Sequence, residues 1–387
     1  MKNLAIHIII TLVFLTSPFT TFAAETEQAL NLKSESAVLL DSETGAVLYA
    51  KNANEKMYPA SLTKIATAIY AIDKGDLESI ATVSGNAVRQ DGTRVYLDEG
   101  EQVPLKRLVQ GMLINSGNDA AVAIAEHIDG NVPRFADSLN SYLKTKIGVN
   151  NTHFTNPNGL FDKNHYTTAM DLAVITNYAM KNPIFSEIFG TKVLDWKGKS
   201  WVTKLVTHHR MLKGELPYPG ITGGKTGYTT ETKQTLATTA DNGKLKLTAV
   251  VLKSDLKNDK YNDTALLFDY GFKEYQHATI KQGEIFMKDD KKFYPETDTL
   301  ITENIQGYTK NINNEGQLSI ANQNGKVVQT IQLKYKEPPK PRVVSHKEEQ
   351  TNQKDENLLH VNIIIGMIML LLVGVLIGTR KKWTAKY

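Results

Sequence analysis

The chain has 387 residues, 41% hydrophobic and 22% charged, with a formal net charge of +4; this is ordinary globular composition, with enough apolar material for a sizeable core. Acids and bases are well mixed and no basic stripe occurs before the last few residues, which argues against nucleic acid as a partner. Cysteine is absent, which excludes disulfides and thiolate metal sites.

Lys2 precedes an apolar run from Leu4 to Leu15, and Thr21-Phe22-Ala23 stands before Ala24-Glu25. A positive start, an apolar stretch too short to span a bilayer comfortably and then small residues predict a secretory signal over 1–23, cut after Ala23. The apolar runs 36–40 and 46–51 flank Asp41-Ser42-Glu43-Thr44-Gly45 and predict a hairpin. After Pro59 and Ser61, Leu62, Ile65, Ala66, Ile69 and Ile72 recur at helical spacing until Gly75. The strand-like run 80–83 leads into Ser84-Gly85-Asn86, read as a turn. Residues 105–127 hold two helical patterns broken at Asn115-Ser116-Gly117-Asn118, and 132–146 and 168–180 predict further amphipathic helices. Near Lys225 the period changes: 234–240 and 246–252 are strand-like and joined across Asp241-Asn242-Gly243-Lys244, a hairpin signal. Residues 263–275 predict a helix. Strands, then helices, then strands again imply an α+β domain over 24–275, its sheet assembled from both ends of the segment.

From 276 to 335 the pattern is β-like, with turns at Asn313-Asn314-Glu315-Gly316 and Asn322-Gln323-Asn324-Gly325, and predicts a small all-β domain. Residues 336–357, rich in Pro, Lys, Glu, Gln and Asn, read as a solvated stalk. Residues 358–379 form an apolar stretch of spanning length, followed by Arg380, Lys381, Lys382 and Lys386, with Trp383 at the interface. Positive charge stays cytoplasmic, so the expectation is a single transmembrane helix, a tail over 380–387 inside and the folded part outside the cell membrane.

Acyl transfer needs a nucleophile, a base and donors for the oxyanion. Ser61 and Lys64, three apart on a helix, share a face; a lysine serves as base where burial or a second cation disfavours its charge. The spacing alone is weak. It recurs at Ser141…Lys144 and Ser254…Lys257, both read as exposed helix-face pairs, and Ser-Gly-Asn occurs at Ser84 as well as Ser116. The ordered set carries more. Ser-x-x-Lys, Ser-Asp-Asn and Lys-Thr-Gly mark class A β-lactamases and penicillin-binding proteins, and here Ser61-x-x-Lys64, Ser116-Gly117-Asn118 and Lys225-Thr226-Gly227 appear in that order.

With Tyr58-Pro59-Ala60 before the first motif, Asp119-Ala120-Ala121 after the second, Gly223-Gly224 before the third and Tyr228-Thr229 after it, residues 30–275 resemble the low-molecular-mass D-alanyl-D-alanine carboxypeptidases, the penicillin-binding serine peptidases of family S11. Asn158-Gly159-Leu160 and Thr168-x-x-Asp171 match positions that family uses for folding. The resemblance implies a β-lactamase/penicillin-binding-protein-like catalytic domain, an antiparallel sheet with helices packed around it. It implies acylation at Ser61, proton acceptance by Lys64, and a proton relay to the leaving amine through Ser116 and Lys225. Asn118 would bind the substrate amide, Lys225 and Thr226 its terminal carboxylate, and the N–H groups of Ser61 and Tyr228, beside Gly227, the oxyanion. It implies peptidoglycan stem peptides as substrate and β-lactam antibiotics as mimics; no cofactor is expected, and no metal, because the adjacent His208 and His209 have no partner at ligand spacing and no His-Glu-x-x-His occurs.

One departure stands out. Thr207-His208-His209-Arg210-Met211-Leu212 stands where the family often carries an asparagine-rich segment ending in paired leucines, and His208 falls where some members place an arginine near the substrate carboxylate. Two rivals remain at this point. A class A β-lactamase would need a glutamate to activate water, and no Glu-x-x-x-Asn lies between Asn131 and Asp171. A non-catalytic wall-peptide-binding protein would not need the motif set complete. Endopeptidase or transpeptidase action on the same peptides stays open.

Overall fold

The computed structural model describes residues 30–337 and 353–383; the signal expected over 1–23, most of the stalk over 336–357 and residues 384–387 lie outside them. Two compact units divide the chain, one ending at Lys336 and one beginning at Glu337.

The first unit opens on the expected hairpin, β1 (Ser36–Asp41) against β2 (Val47–Lys51). Asp41 closes its turn by accepting from the N–H groups of Glu43 at 2.8 Å and Thr44 at 3.1 Å. The sheet is completed from the far end of the segment by β7 (Ile221–Thr229), β8 (Lys233–Asp241) and β9 (Lys246–Ser254), antiparallel in the order β2-β1-β9-β8-β7. Both faces of its central strands are apolar. Val38, Leu40, Val250 and Leu252 turn toward one core and Ala37, Leu39, Ala249 and Val251 toward the other, following the two-residue period of a strand.

On the first face lie α1 (Thr63–Lys74), the one-turn α2 (Gly85–Val88), α3 (Leu105–Ile114), α4 (Asn118–Asp129), α5 (Val132–Tyr142), α6 (Ala169–Met180) and α7 (Pro183–Phe189). α1 is buried on every side from Thr63 to Ala71, the polar Thr63, Lys64 and Thr67 included. The opposite face is covered by α8 (Asp259–Glu274).

Two short hairpins, β3 (Ile80–Thr82) with β4 (Gln102–Pro104) and β5 (Val193–Lys197) with β6 (Val202–Val206), complete this lobe. Several expectations are corrected. Ser84 does not stand in a simple turn; it caps α2, its hydroxyl accepting from Ala87 N–H. α8 starts at Asp259 rather than 263. Ser254 is no helix-face residue: it is buried at the end of β9, its hydroxyl 2.7 Å from that of Ser34. Ser141 and Lys144 are exposed, as read. β5, β6 and α7 were not anticipated.

At Tyr275 the chain leaves α8 directly for β10 (Tyr275–Ile280), which pairs with β13 (Thr299–Asn304). Two three-stranded sheets follow: β11 (Phe286–Lys288), β12 (Lys291–Tyr294) and β17 (Lys334–Lys336); and β14 (Tyr308–Ile312), β15 (Gln317–Asn322) and β16 (Val327–Gln332). Ile280, Phe293, Ile301, Leu318 and Ile320 share one core with Phe268 of α8 and Leu39 and Leu247 of the large sheet. The second unit contains α9 (Gln353–Trp383), with a stretch Leu359–Ile377 of mean hydropathy 2.6 whose residues are all exposed. By length and composition it can cross a membrane.

Candidate active site

Three pieces of chain meet at the edge of the sheet. The first is the turn Ala60–Leu62 that opens α1. Lys64, one helical turn after Ser61, is fully buried. Its Nζ lies 3.0 Å from Ser61 Oγ, 2.7 Å from Asn118 Oδ1 and 2.6 Å from the carbonyl of Asn158. The Asn118 amide is oriented by its other end, where Nδ2 donates to the Asp91 carbonyl at 2.6 Å. Burial, and then Lys225, hold the Lys64 ammonium well below the usual lysine range, against a raising contribution from Asp119.

A neutral amine has two hydrogens and one lone pair. Asn118 Oδ1 and the Asn158 carbonyl can only accept, so they take the two hydrogens. The lone pair is left for Ser61, the one neighbour of the three with a proton to give. When Lys64 is neutral, this geometry leaves its lone pair facing Ser61 Oγ.

The second piece is the break between α3 and α4. Ser116 sits there with a φ of +63°, a left-handed conformation that lets the chain turn between the helices while the hydroxyl faces β7. Asp119, buried in the first turn of α4, accepts from the N–H groups of Val95 at 3.0 Å and Leu97 at 3.2 Å; Asn118 N–H donates to Thr93 at 2.7 Å. The loop 91–97 is thus tied over the break. Burial pushes the Asp119 carboxyl up, against these backbone donors.

The third piece is β7, whose only sheet neighbour among the described residues is β8. Its free edge carries Lys225, Thr226, Gly227 and the exposed Tyr228, where an extended peptide can add as a strand. Lys225 is buried, and its Nζ donates to Ser116 Oγ at 2.9 Å and to the Thr226 carbonyl at 2.8 Å. Burial, and then Lys260, lower it to about 7. Glycine is required at 227: a Cβ there would stand 2.3 Å from Thr235 Oγ1 and 3.0 Å from the Pro59 carbonyl.

A cavity of about 460 Å³ opens on this edge, lined by Ser61, Thr93, Ser116, Thr226, Gly227 and Tyr228, and beyond them by His208, Arg210, Lys213, Glu215, Gln234, Lys257, Lys260 and Tyr261. Glu215 pairs with Arg210 at 3.0 Å and Lys213 at 2.7 Å. Lys257 and Lys260 have no carboxylate partner among the described residues. Lys260 is buried, bonded to Gln234 Oε1 at 2.7 Å and lowered to about 8 by burial and then by Lys257. This end of the cavity therefore carries two lysines that no carboxylate among the described residues neutralises. A larger cavity, about 860 Å³, lies at the far end of α1 around Tyr70, Asp73 and Tyr142 and holds none of the motif residues.

All eight sequence-predicted residues, Ser61, Lys64, Ser116, Asn118, Lys225, Thr226, Gly227 and Tyr228, come together here. The Asn118 amide is held at both ends, its oxygen by Lys64 and its nitrogen by the Asp91 carbonyl. His208 is on the cavity wall, but burial and the lysines around it lower it to about 4, so it carries no charge at neutral pH. His209 is buried against β7, Nε2 2.8 Å from Thr238 Oγ1, its Nδ1 accepting from Leu212 N–H at 3.1 Å. Sequence reading missed the Asn158 carbonyl and Lys260. It also dismissed Lys257, which lines the cavity from the loop before α8. A backbone acceptor leaves no mark in a sequence, but Lys257 and Lys260, three apart across the start of α8, do.

A buried lysine aimed at a serine, beside a second serine–lysine pair on a strand edge, defines an active-serine acyl-transfer site on a sheet with helices on both faces. Residues 23–255, more than half of the chain, match the family model described as D-alanyl-D-alanine carboxypeptidase, and the chain belongs to that family of serine peptidases. It is 34% identical over 299 residues to D-alanyl-D-alanine carboxypeptidase DacF of Bacillus subtilis, an alignment spanning 74% of this chain and 76% of that one. Among solved structures, a D-alanyl-D-alanine carboxypeptidase from Mycobacterium tuberculosis is 30% identical with a TM-score of 0.58, covering 62% of this chain and 90% of that one. Penicillin binding protein 5 from Haemophilus influenzae is 26% identical with a TM-score of 0.67, covering 79% and 96%.

Proposed function

We propose that this enzyme removes the terminal D-alanine from peptidoglycan pentapeptide stems through an acyl-enzyme on Ser61, and that it binds penicillin at the same serine. The observation that carries the reading is the lone pair of Lys64, left facing Ser61 Oγ by two acceptor-only neighbours. Lys64 takes the Ser61 proton as Oγ attacks the carbonyl between the last two residues. The N–H groups of Ser61 and Tyr228 receive the oxyanion. Ser116 passes a proton to the leaving amine and is resupplied by Lys225 at 2.9 Å. Water then hydrolyses the ester. The substrate's terminal carboxylate lies against Thr226, Lys257 and Lys260, and Asn118 acts chiefly by holding Lys64.

A β-lactamase reading is less well supported, because the acid lining the cavity, Glu215, is engaged by two cations and is not free to activate water. The chain acts outside the cell membrane, delivered by a signal over 1–23 and anchored by α9, with the β-rich segment 276–335 and the stalk 336–357 as spacers. Intact mass of the full chain in detergent after exposure to a fluorescent penicillin tests the site. One adduct per molecule is expected, and none on Ser61→Ala; an unmodified, folded wild-type chain would move the assignment to a non-catalytic wall-peptide binder. Release of D-alanine from a synthetic pentapeptide tests the substrate.

A further inference from the structure

Ala60, immediately before Ser61, has a φ of +49°, a conformation that L side chains adopt only where the surroundings hold them there. The holding groups are visible. The Thr63 N–H caps the turn at the carbonyls of Ala60 and Ser61, and Thr63 Oγ1 lies 2.9 Å from the Ala60 oxygen. Thr63 Oγ1 is also 2.8 Å from Nε2 of His165, a buried ring stacked on Phe154 at 4.8 Å. On the other side of that ring, the Thr155 N–H points at Nδ1 from 3.0 Å.

The proton positions follow from these neighbours. A backbone N–H can only donate, so Nδ1 is bare and the hydrogen of the neutral ring is on Nε2. Nε2–H therefore donates to Thr63 Oγ1, and the threonine hydroxyl, its lone pair used, donates to the Ala60 carbonyl. The ring stays neutral because burial lowers it to about 3. The Ala60 carbonyl and the Ser61 N–H belong to one planar peptide and point in opposite directions. Fixing the oxygen toward Thr63 fixes the direction of the hydrogen.

We propose that His165 is a positioning residue for the acyl-transfer step: through Thr63 it pins the Ala60 carbonyl and so aims the Ser61 N–H at the developing oxyanion. This rests on the reading of Ser61 as nucleophile. The link reaches across the fold, from the segment before α6 to the start of α1, and it leaves the carboxylate end of the cavity untouched.

The test is the acylation kinetics of the full chain in detergent with a fluorescent penicillin, split into initial binding and covalent step, in four variants. His165→Phe keeps an aromatic ring against Phe154 and removes the donor. Thr63→Val keeps the β-branch and removes the hydroxyl. Each is expected to slow the covalent step about 10- to 100-fold, the scale of a misdirected reacting group, with initial binding unchanged and the final adduct still stoichiometric. Thr63→Ser restores the hydroxyl and is expected to return to within a few-fold of wild type. The double variant His165→Phe/Thr63→Val is expected to be no slower than the slower single variant, because both break one chain. Variants acylating at the wild-type rate, single effects that multiply, or a loss of adduct stoichiometry at an unchanged rate would each overturn the link. If the wild-type chain itself forms no adduct, the Ser61 reading fails instead.

Discussion

Two lysines are buried at the active site, and a third, Lys260, is buried at the cavity's lysine-lined end. Lys225 falls to about 7 and Lys260 to about 8, in each case from burial first and a neighbouring lysine second. The sign of the resulting pH dependence can be worked out. Lys64 acts as a base only when neutral, so turnover rises with pH as it loses its proton. In the proposed mechanism Lys225 as proton source and Lys260 as anion binder must be charged, so turnover should fall as pH climbs past about 7 to 8. kcat/KM for D-alanine release should therefore be bell-shaped. Lys260→Gln removes one cation from the carboxylate end and should lower kcat/KM about 10- to 100-fold, the worth of a charged hydrogen bond, mainly through KM. It should also move the alkaline limb upward, because Lys225 no longer feels the Lys260 charge. A limb that stays in place while KM rises would show that the two lysines titrate independently.

β7 shows how an element can carry a site and still be hard to read. Gly223, Gly224 and Gly227 give it poor strand propensity, and in the sequence they are only missing side chains. In the fold each absence is filled: a Cβ would stand 2.4 Å from the ring of Phe189 at 223, 2.3 Å from the ring of His209 at 224, and 2.3 Å from Thr235 at 227. Gly227→Ala should force β7 away from the Ala60–Leu62 turn, destabilising the protein by about 1–3 kcal/mol and slowing acylation by penicillin more than tenfold. Thermal melting read beside the acylation rate separates the two effects. A variant that melts lower but acylates normally would show that the strand gives way elsewhere.

The same element explains what was legible. Ser61, Lys64, Ser116, Asn118, Lys225 and Thr226 could be picked out because three short motifs stand in a fixed order. The sheet built from both ends, the helix after Ser61 and the break at 115–118 could be read because their apolar periods are strong. The hairpin β5–β6 and the helix α7 were missed because each is short and carries little pattern of its own. Lys260 was missed because its burial comes with packing against β8, where it bonds to Gln234, 26 residues earlier in the chain.

At the scale of the whole first unit, the β-rich segment is joined to the catalytic lobe by more than a linker. Asp41, fully buried at the end of β1, accepts from His277 Nε2 at 2.8 Å and from Thr302 Oγ1 at 3.1 Å, besides the two N–H groups of its own turn. Thr44 and Thr302 meet at 2.6 Å. Around this polar seam, Leu39, Leu247 and Phe268 of the lobe share a core with Ile280, Ile301 and Leu318 of the segment. Parts that share a core unfold together. Heating residues 24–336 in a calorimeter should therefore give one transition, not two. Asp41→Ala leaves His277, Thr302 and the turn's N–H groups without their acceptor, and should cost about 2–3 kcal/mol, lowering the temperature of that single transition by several degrees. A second, earlier transition that alone responds to Asp41→Ala would show an independently folding domain. In the single-transition case the segment is a rigid extension of the lobe, and the distance between Ser61 and Lys336 is fixed.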